Sequence, residues 1–262
     1  MHQYFIKDQN QILEPGHRVY LNQADSHHLI NVLRARHNKQ LLVVHNHKKY
    51  LAKYIEKQND LALLEVSYEV SDKQSQTELP VEVVVACGLS KNDKIDTIVQ
   101  KGTECGMSFF QPLALQRDVV KWDHSKAGKK IVRLQKIADS AAEQSKRLKQ
   151  VKIKDLMNLK EFVAQYQDFD FKLVAFEEKA KDGEHHLLAK IMQKLIKNQK
   201  VVMLFGSEGG LDQEEVDFLI EHGFQACSLG PRILRAETAP IYLLSVISYV
   251  TEIEKEFENE VK

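Results

Sequence analysis

GSEGG at residues 206–210 and LGPRILRAET at residues 229–238 are the two glycine-bearing loops that decide the fold of this chain. Each loop follows a short apolar run, VVMLF at 201–205 and FQACS at 224–228, and each leads into a helix-like segment. Strand, loop and helix, repeated twice, predict two parallel strands whose carboxyl ends share one edge of a sheet. Open α/β sheets bind ligands at that edge, so we expect both loops to line one pocket.

Local signals mark the elements around these loops. Asp212 followed by Glu215 predicts a capping box at a helix start, and Gly223 predicts a left-handed stop for the same helix. Pro240 suits the first turn of the last helix, where a missing N–H costs little.

Several ligand classes lack their signature in this sequence. The chain has no G-x-x-x-x-G-K-[ST] and no G-x-G-x-x-G, which argues against a P-loop and against a Rossmann dinucleotide site. Neither glycine loop contains a lysine, and Glu208 would repel a phosphate. The pocket therefore suits a ligand with a positive centre or with many hydroxyl and amino donors.

Composition favours a cytoplasmic, soluble protein of one large or two modest domains. The chain has 262 residues, of which 43% are hydrophobic, which is ample for a core. Its three cysteines (Cys87, Cys105 and Cys227) are widely spaced and form no C-x-x-C, which indicates a reducing compartment. The start MHQYFIKDQN does not resemble a signal peptide, and no run of 18 apolar residues occurs.

Charge is unevenly distributed although the formal net charge is zero. Residues 117–154 carry twelve Lys and Arg against four Asp and Glu, whereas residues 252–260 are rich in glutamate. A basic segment is typical of a nucleic-acid partner. The alternative is an ordinary solvated helix face, which is the usual role of a charge run.

Two domains are expected from the pattern along the chain. Residues 1–72 contain short runs rich in β-branched and aromatic residues, which predict a small meander or barrel, with one helix at 26–36. Residues 73–80 are polar and end in proline, as linkers do. Residues 81–262 alternate strands with helices, which predicts an α/β domain with a mostly parallel sheet covered on both faces.

A metal site is not predicted. His45 and His47 have the spacing of two ligands on one strand face, but no third ligand is placed by spacing and H-E-x-x-H is absent. Ser207 is not centred between glycines as a nucleophile elbow requires.

The glycine loops are similar to those of the SPOUT class of S-adenosylmethionine-dependent RNA methyltransferases. Within that class the chain most resembles the RsmE family, which methylates N3 of a uridine in small-subunit ribosomal RNA. The resemblance covers nearly the whole chain, including HHLINVLRARHNKQLLVV at 27–44, DKIDTIVQKGTECGMSFFQPL at 93–113 and KIADSAAEQSKR at 136–147. The chain departs from the family in having Ser207 where proline is common and Ala236 where threonine is common.

The resemblance implies an architecture and partners. The α/β domain would carry a trefoil knot at its carboxyl end, against the general rule that chains are unknotted. A small PUA-like β-barrel domain that binds RNA would precede it. The protein would form a homodimer, use S-adenosyl-L-methionine as cofactor and act on small-subunit ribosomal RNA within an assembled subunit.

The resemblance also implies roles for individual residues. The expected cofactor-binding residues are Leu204, Gly206, Glu208, Gly209, Gly210, Leu229, Gly230, Ile233, Leu234 and Thr238. The expected RNA-binding residues are Arg34, Arg36, Lys126, Lys129, Lys130 and Arg133. If these six residues contact phosphates, affinity for RNA should fall steeply with salt.

For catalysis, Arg235 is expected to stabilise the negative charge that develops on the uridine, with Arg147 as a second candidate. A salt bridge from Arg235 to Glu237 or Glu208 is the structural alternative. Glu143 and Glu237 are both candidates for the general base, and the choice stays open. Two other functions also stay open, namely a ribose 2′-O-methyltransferase of the same class and a non-catalytic RNA-binding factor in ribosome assembly.

Overall fold

The computed structural model describes residues 1–7, 12–71, 77–91, 93–178 and 186–254, with the backbone alone for 124–126. These residues fall into two compact units. The first contains residues 1–78 together with 142–149, and the second contains residues 79–141 and 150–262. Nothing in the sequence marks residues 142–149 as part of the first unit, because the helical pattern continues into them. The expected domain limits 1–72, 73–80 and 81–262 stay predictions.

The first unit is built on a five-stranded sheet in the order β1-β3-β4-β5-β2. Its strands are β1 (Gln3–Phe5), β2 (Arg18–Tyr20), β3 (Gln40–His45), β4 (Lys48–Gln58) and β5 (Leu61–Glu69). The pairing of β1 with β3 is parallel and the other pairings are antiparallel. Two-residue turns at 46–47 and 59–60 with positive φ join β3 to β4 and β4 to β5, as tight hairpins require.

The helix expected at 26–36 is shorter and starts earlier. Helix α1 covers Gln23–His27 and continues into one π-helical turn at His28–Val32. Asn22 caps its start by accepting a hydrogen bond from the N–H of Asp25. Arg34 then adopts a φ of +49°, which ends the helical path, so the prediction was wrong beyond residue 32.

The second unit alternates strands and helices as predicted. Its strands are β6 (Glu82–Gly88), β7 (Phe109–Ala114), β8 (Lys152–Ile153), β9 (Met157–Asn158), β10 (Phe171–Ala175), β11 (Lys200–Phe205) and β12 (Gln225–Cys227). The helices that follow α1 in the chain are α2 (Lys94–Glu104), α3 (His124–Gln144), α4 (Leu159–Gln165), α5 (Leu187–Lys194), α6 (Gln213–Glu221) and α7 (Thr238–Ser248), with a π-helical turn at Tyr249–Glu254.

The sheet of the second unit has the order β12-β10-β11-β6-β7-β8, with β9 also on β7. Every one of these pairings is parallel, which confirms the mostly parallel α/β sheet. Side chains alternate between two buried clusters, since Met203 and Phe205 pack on one face and Val202 and Leu204 on the other. Within the described residues, no helix is both long and apolar enough to cross a membrane.

The helix signals read from the sequence are confirmed. Asp212 and Glu215 form a capping box at the start of α6, and Gly223 has a φ of +83° just past its end. Pro240 lies in the first turn of α7. Strands β11 and β12 both pair with β10, so the loops that follow them start at one edge of the sheet.

Candidate active site

A cleft of about 840 Å³ lies at that edge of the second unit. Its walls are the segments that follow β10, β11 and β12, at residues 176–178, 206–211 and 228–236, with Lys94 and Arg117 completing the rim. Both glycine loops therefore line one cleft, as the parallel strands predict. The volume suits a ligand of the size of a drug or cofactor.

The first loop, residues 206–210, is held by close packing. The N–H of Gly210 donates to the carbonyl of Ser207 at 3.0 Å, which closes a tight turn. A Cβ on Gly206 would lie 2.7 Å from the carbonyl carbon of Gly210, and one on Gly209 would overlap the carbonyl oxygen of Arg117. The guanidinium of Arg117 is itself paired with Asp212 at 3.0 Å. Glycine is thus required sterically at both positions.

Asp118 connects the carboxyl ends of β6 and β7 next to this loop. One carboxylate oxygen, Oδ2, accepts hydrogen bonds from the N–H groups of Leu89 at 3.1 Å and Leu115 at 2.9 Å. A Cβ on Gly88 would lie 2.8 Å from the other oxygen, Oδ1. Burial raises the pKa of Asp118, although these two N–H groups act against the rise.

Glu208 of the first loop is an ionised carboxylate. Its Oε1 lies 3.1 Å from Nζ of Lys94 and accepts a hydrogen bond from the N–H of Lys91 at 3.1 Å. Partial burial opposes ionisation, but its own backbone N–H, Lys94 and the N–H of Lys91 together lower the pKa of Glu208. Lys94 also lies 3.7 Å from Oε2 of Glu237, so one ammonium group stands beside two carboxylates.

Residues 228–236, which include most of the second loop, are open by contrast. Gly230 has a φ of +107°, a conformation that favours glycine, and a Cβ there would meet no atom within 4 Å. Ile233 is 75% exposed beside the cleft. Arg235 is exposed as well, and within the described residues no carboxylate lies close enough to form an ion pair with its guanidinium. The expected alternative, a bridge from Arg235 to Glu208 or Glu237, is not formed; Nζ of Lys94 lies beside both carboxylates instead, at 3.1 Å and 3.7 Å.

Eight of the ten expected cofactor residues line the cleft, namely Gly206, Glu208, Gly209, Gly210, Leu229, Gly230, Ile233 and Leu234. Leu204 does not, because its side chain is fully buried on the opposite face of the sheet from Phe205, in the cluster with Val202. Thr238 is also outside the lining, since it opens α7 and its N–H donates to the carbonyl of Arg235.

Two expected catalytic residues, Arg147 and Glu143, belong to the first unit, whereas the cleft is formed by residues of the second. Arg147 is only 3% exposed and its guanidinium donates to Glu78 at 2.6 Å, both residues belonging to the first unit. Glu78 also accepts from the N–H groups of Leu148 and Lys149, so this ion pair fixes the segment 142–149 within its unit. Glu143 is partly buried near the end of α3. A catalytic role does not fit the buried Arg147, whose environment is that of a structural ion pair.

The expected RNA-binding residues have different environments. Lys129 is exposed, and Nζ of Lys130 lies 5.2 Å from the ring centroid of Trp122. Both terminal nitrogens of Arg133 donate to the carboxylate of Asp96 on α2, one of them at 2.6 Å. Much of the hydrogen-bonding capacity of Arg133 is therefore used within the second unit. Arg34 and Arg36 are exposed in the first unit, and the side chain of Lys126 is outside the described part of the chain.

Sequence reasoning missed Lys94, Arg117 and the segment 176–178 as cleft residues. The signal was available, since each follows the carboxyl end of a parallel strand: β6, β7 and β10 respectively. Applying the sheet-edge rule to every strand would have found them. As for metals, the described residues contain no cluster of three or more His, Cys, Asp and Glu side chains that could hold an ion. His47 lies in a turn with a φ of +63°, so it does not share a strand face with His45.

Comparison with known proteins gives a consistent result. Residues 77–248 match the model of an RNA methyltransferase domain. The ribosomal RNA small subunit methyltransferase E of Bacillus subtilis is 39% identical over 254 residues, which cover 97% of this chain and 98% of that protein.

Two solved structures also resemble the chain over almost its full length. One is the ribosomal RNA small subunit methyltransferase E of Neisseria gonorrhoeae bound to S-adenosyl methionine, with a TM-score of 0.80, 27% identity and coverage of 95% of this chain and 98% of that one. The other is a putative methyltransferase of Legionella pneumophila in complex with the same cofactor, with a TM-score of 0.81, 26% identity and coverage of 94% and 96%.

Proposed function

Because the chain belongs to the ribosomal RNA small subunit methyltransferase E (RsmE) family, we propose that it transfers the methyl group of S-adenosyl-L-methionine to N3 of a uridine in small-subunit ribosomal RNA. The observation that carries the proposal is the cleft at the sheet edge, where two glycine loops meet beside Arg235, whose guanidinium has no ion partner among the described residues.

The residues of the cleft fit this cofactor. The exposed apolar side chain of Ile233 and its neighbour Leu234 suit the flat adenine ring. The main chain at Gly230 is open to a ligand and can offer N–H and C=O groups to the ribose and the methionine part. When bound, S-adenosyl-L-methionine supplies an electrophilic methyl group on a sulfonium.

The chain has two tasks in the reaction. It must hold uridine N3 in line with the methyl group, since alignment supplies much of the rate enhancement in such transfers. It must also stabilise the negative charge that spreads onto O2 and O4 when N3 loses its proton. Arg235 performs this second task, because its guanidinium is at the cleft and is not engaged by a carboxylate within the described residues. The general base is left unassigned, with Glu237 and Glu143 as candidates.

The remaining parts of the proposal concern architecture and partners. The first unit acts as a PUA-like RNA-binding domain, and the second contains a trefoil knot and forms a homodimer. Arg34, Arg36, Lys126, Lys129, Lys130 and Arg133 contact phosphates of an assembled small subunit. A ribosomal substrate places the enzyme in the cytoplasm. The mixed sheet of the first unit supports the PUA-like assignment, and the basic segment 117–154 supports the contacts with RNA, whereas the knot and the homodimer rest on the family resemblance.

Calorimetry with S-adenosyl-L-methionine and with its demethylated product tests the cofactor assignment. We expect saturable binding of both ligands at about one site per chain, as expected for a single cleft at the sheet edge. No binding by the folded protein would favour the non-catalytic RNA-binding factor instead. Mapping the methylated atom on ribosomal RNA then tests the reaction, and a methyl group on a ribose 2′ oxygen would overturn the uridine N3 assignment.

A further inference from the structure

Lys94 stands between the two glycine loops and contacts one carboxylate from each side. Its Nζ lies 3.1 Å from Glu208, which belongs to the first loop, and 3.7 Å from Glu237, which lies near the end of the second. Lys94 itself is the first residue of α2 and belongs to neither loop. We propose that Lys94 is a positioning residue that sets the separation of the two loops for the cofactor, an inference that rests on the proposed function.

The base of this contact is rigid. Helix α2 is anchored in the core through Ile95, Ile98 and Val99, and Asp96 ties it to Arg133 of α3. The N–H of Lys91, just before the helix, holds the same oxygen of Glu208 as Lys94 does. Glu208 is thereby fixed against α2, and the ammonium group of Lys94 attracts the carboxylate of Glu237 towards the same place.

The second loop exposes several of its side chains. Arg232, Ile233 and Arg235 are exposed, and within the described part of the chain neither arginine forms an ion pair. The side chains of Lys94 and Glu208 are 31% and 26% exposed, and ion pairs this accessible contribute little to folding stability. Loss of Lys94 should therefore change the arrangement of the loops more than the stability of the fold. A site that must order itself on binding loses affinity.

The test compares Lys94→Met, Lys94→Arg and Lys101→Met in calorimetry and in steady-state methylation of ribosomal RNA. Lys101 is a matched control, since it lies on the same helix and pairs with Glu104 outside the cleft. Lys94→Met should weaken S-adenosyl-L-methionine binding about tenfold, which corresponds to about 1.4 kcal/mol. The KM of this variant for S-adenosyl-L-methionine should rise, while kcat at saturating cofactor stays near that of the wild type, because the lost interaction acts on cofactor binding.

Rescue separates positioning from a general structural effect. Lys94→Arg keeps a cation between the two carboxylates and should restore most of the affinity, whereas Lys101→Met should leave it unchanged. In the double variant Glu208→Gln/Glu237→Gln, adding Lys94→Met should change the affinity less than about twofold, since groups in one network are not additive.

Each result has a defined meaning. If the wild type binds the cofactor and Lys94→Met binds it equally well, the inference is overturned and the proposed function stands. Equal losses in the methionine and arginine variants, or additive losses in the triple variant, overturn it too. If the wild type does not bind the cofactor, the proposed function fails and this inference fails with it.

Discussion

The two glycine loops of the cleft each follow a parallel strand, but the first is closely packed and the second is exposed. Residues 206–210 are packed so closely that a methyl group at Gly206 or Gly209 would strike backbone atoms. Residues 228–236 leave open space at Gly230 and expose Ile233 and Arg235. Glycine is needed at Gly206 and Gly209 because neighbouring atoms approach them closely, and at Gly210 and Gly230 because of the sign of φ.

This difference indicates that the two walls of the cleft have different roles: residues 206–210 form a fixed wall and residues 228–236 form an exposed wall. The fixed wall carries Glu208, whose contacts are already satisfied by Lys94 and Lys91. The exposed wall carries groups without ion partners in the described residues, which are available to a ligand. Changes in the first loop should therefore be felt in stability, and changes in the second in function.

Arg235→Ala should produce the largest effect and should leave stability almost unchanged. Removing a preorganised group that stabilises developing charge typically lowers the rate about 100- to 1000-fold. Single-turnover methylation of ribosomal RNA at saturating cofactor measures this directly, with thermal unfolding as the control for folding. Arg235→Lys should recover part of the rate, because it keeps the charge but loses the planar fork. A rate near that of the wild type for Arg235→Ala would remove the residue from the mechanism.

Gly209→Ala should act on the opposite wall and chiefly on stability. Its Cβ would overlap the carbonyl oxygen of Arg117, which cannot easily retreat because its guanidinium is paired with Asp212. Overpacking of this kind costs about 1 to 3 kcal/mol, measurable as the free energy of unfolding in urea.

Gly128→Ala is the matched control for that measurement. Gly128 lies in α3, and a Cβ added there would have no atom within 4 Å, so alanine should stabilise the protein by about 0.5 to 1 kcal/mol. If Gly209→Ala were as stable as the wild type, the first loop would not be the rigid wall described above.

Asp118→Asn should give the smallest effect, visible only as a change with pH. The folded-state pKa of Asp118 is raised by burial, so the folded protein keeps a proton that the unfolded chain has released. Stability from this group is therefore full below its usual pKa of about 3.9 and is lost as pH rises through the raised folded-state pKa.

Asparagine keeps an acceptor for the N–H groups of Leu89 and Leu115 but cannot ionise. Relative to Asp118→Asn, the wild type should thus lose stability as pH rises from about 4 towards neutrality. Urea unfolding of both proteins across this range checks the sign, and a difference that stays constant with pH would contradict it.

Local signals in the sequence were sufficient for most of the second unit. The capping box at Asp212 and the stop at Gly223 depend on neighbouring residues, and the alternation of strands and helices over residues 81–262 depends on apolar patterning; all three were predicted. The meeting of the two glycine loops was predicted for a similar reason, because parallel strands leave little choice of edge.

Features that depend on distant partners were not predicted. The strands β8 and β9 have two residues each, too few to carry a periodicity, and exist through pairing with β7. The burial of Arg147 depends on Glu78, and the ion pair of Glu208 depends on Lys94, each far away in sequence. Such contacts arise from tertiary packing, which cannot be predicted from the sequence of one segment alone.

The central position of β6 in its sheet has a consequence for synthesis. Strand β6 ends at Gly88, yet its partner β11 is complete only at Phe205. At about 5 to 20 residues per second, ribosomes would leave one edge of this almost wholly apolar strand unpaired for roughly 6 to 23 s. An enzyme proposed to modify ribosomal RNA would thus depend, on every round of translation, on whatever shields that strand from aggregation in the meantime.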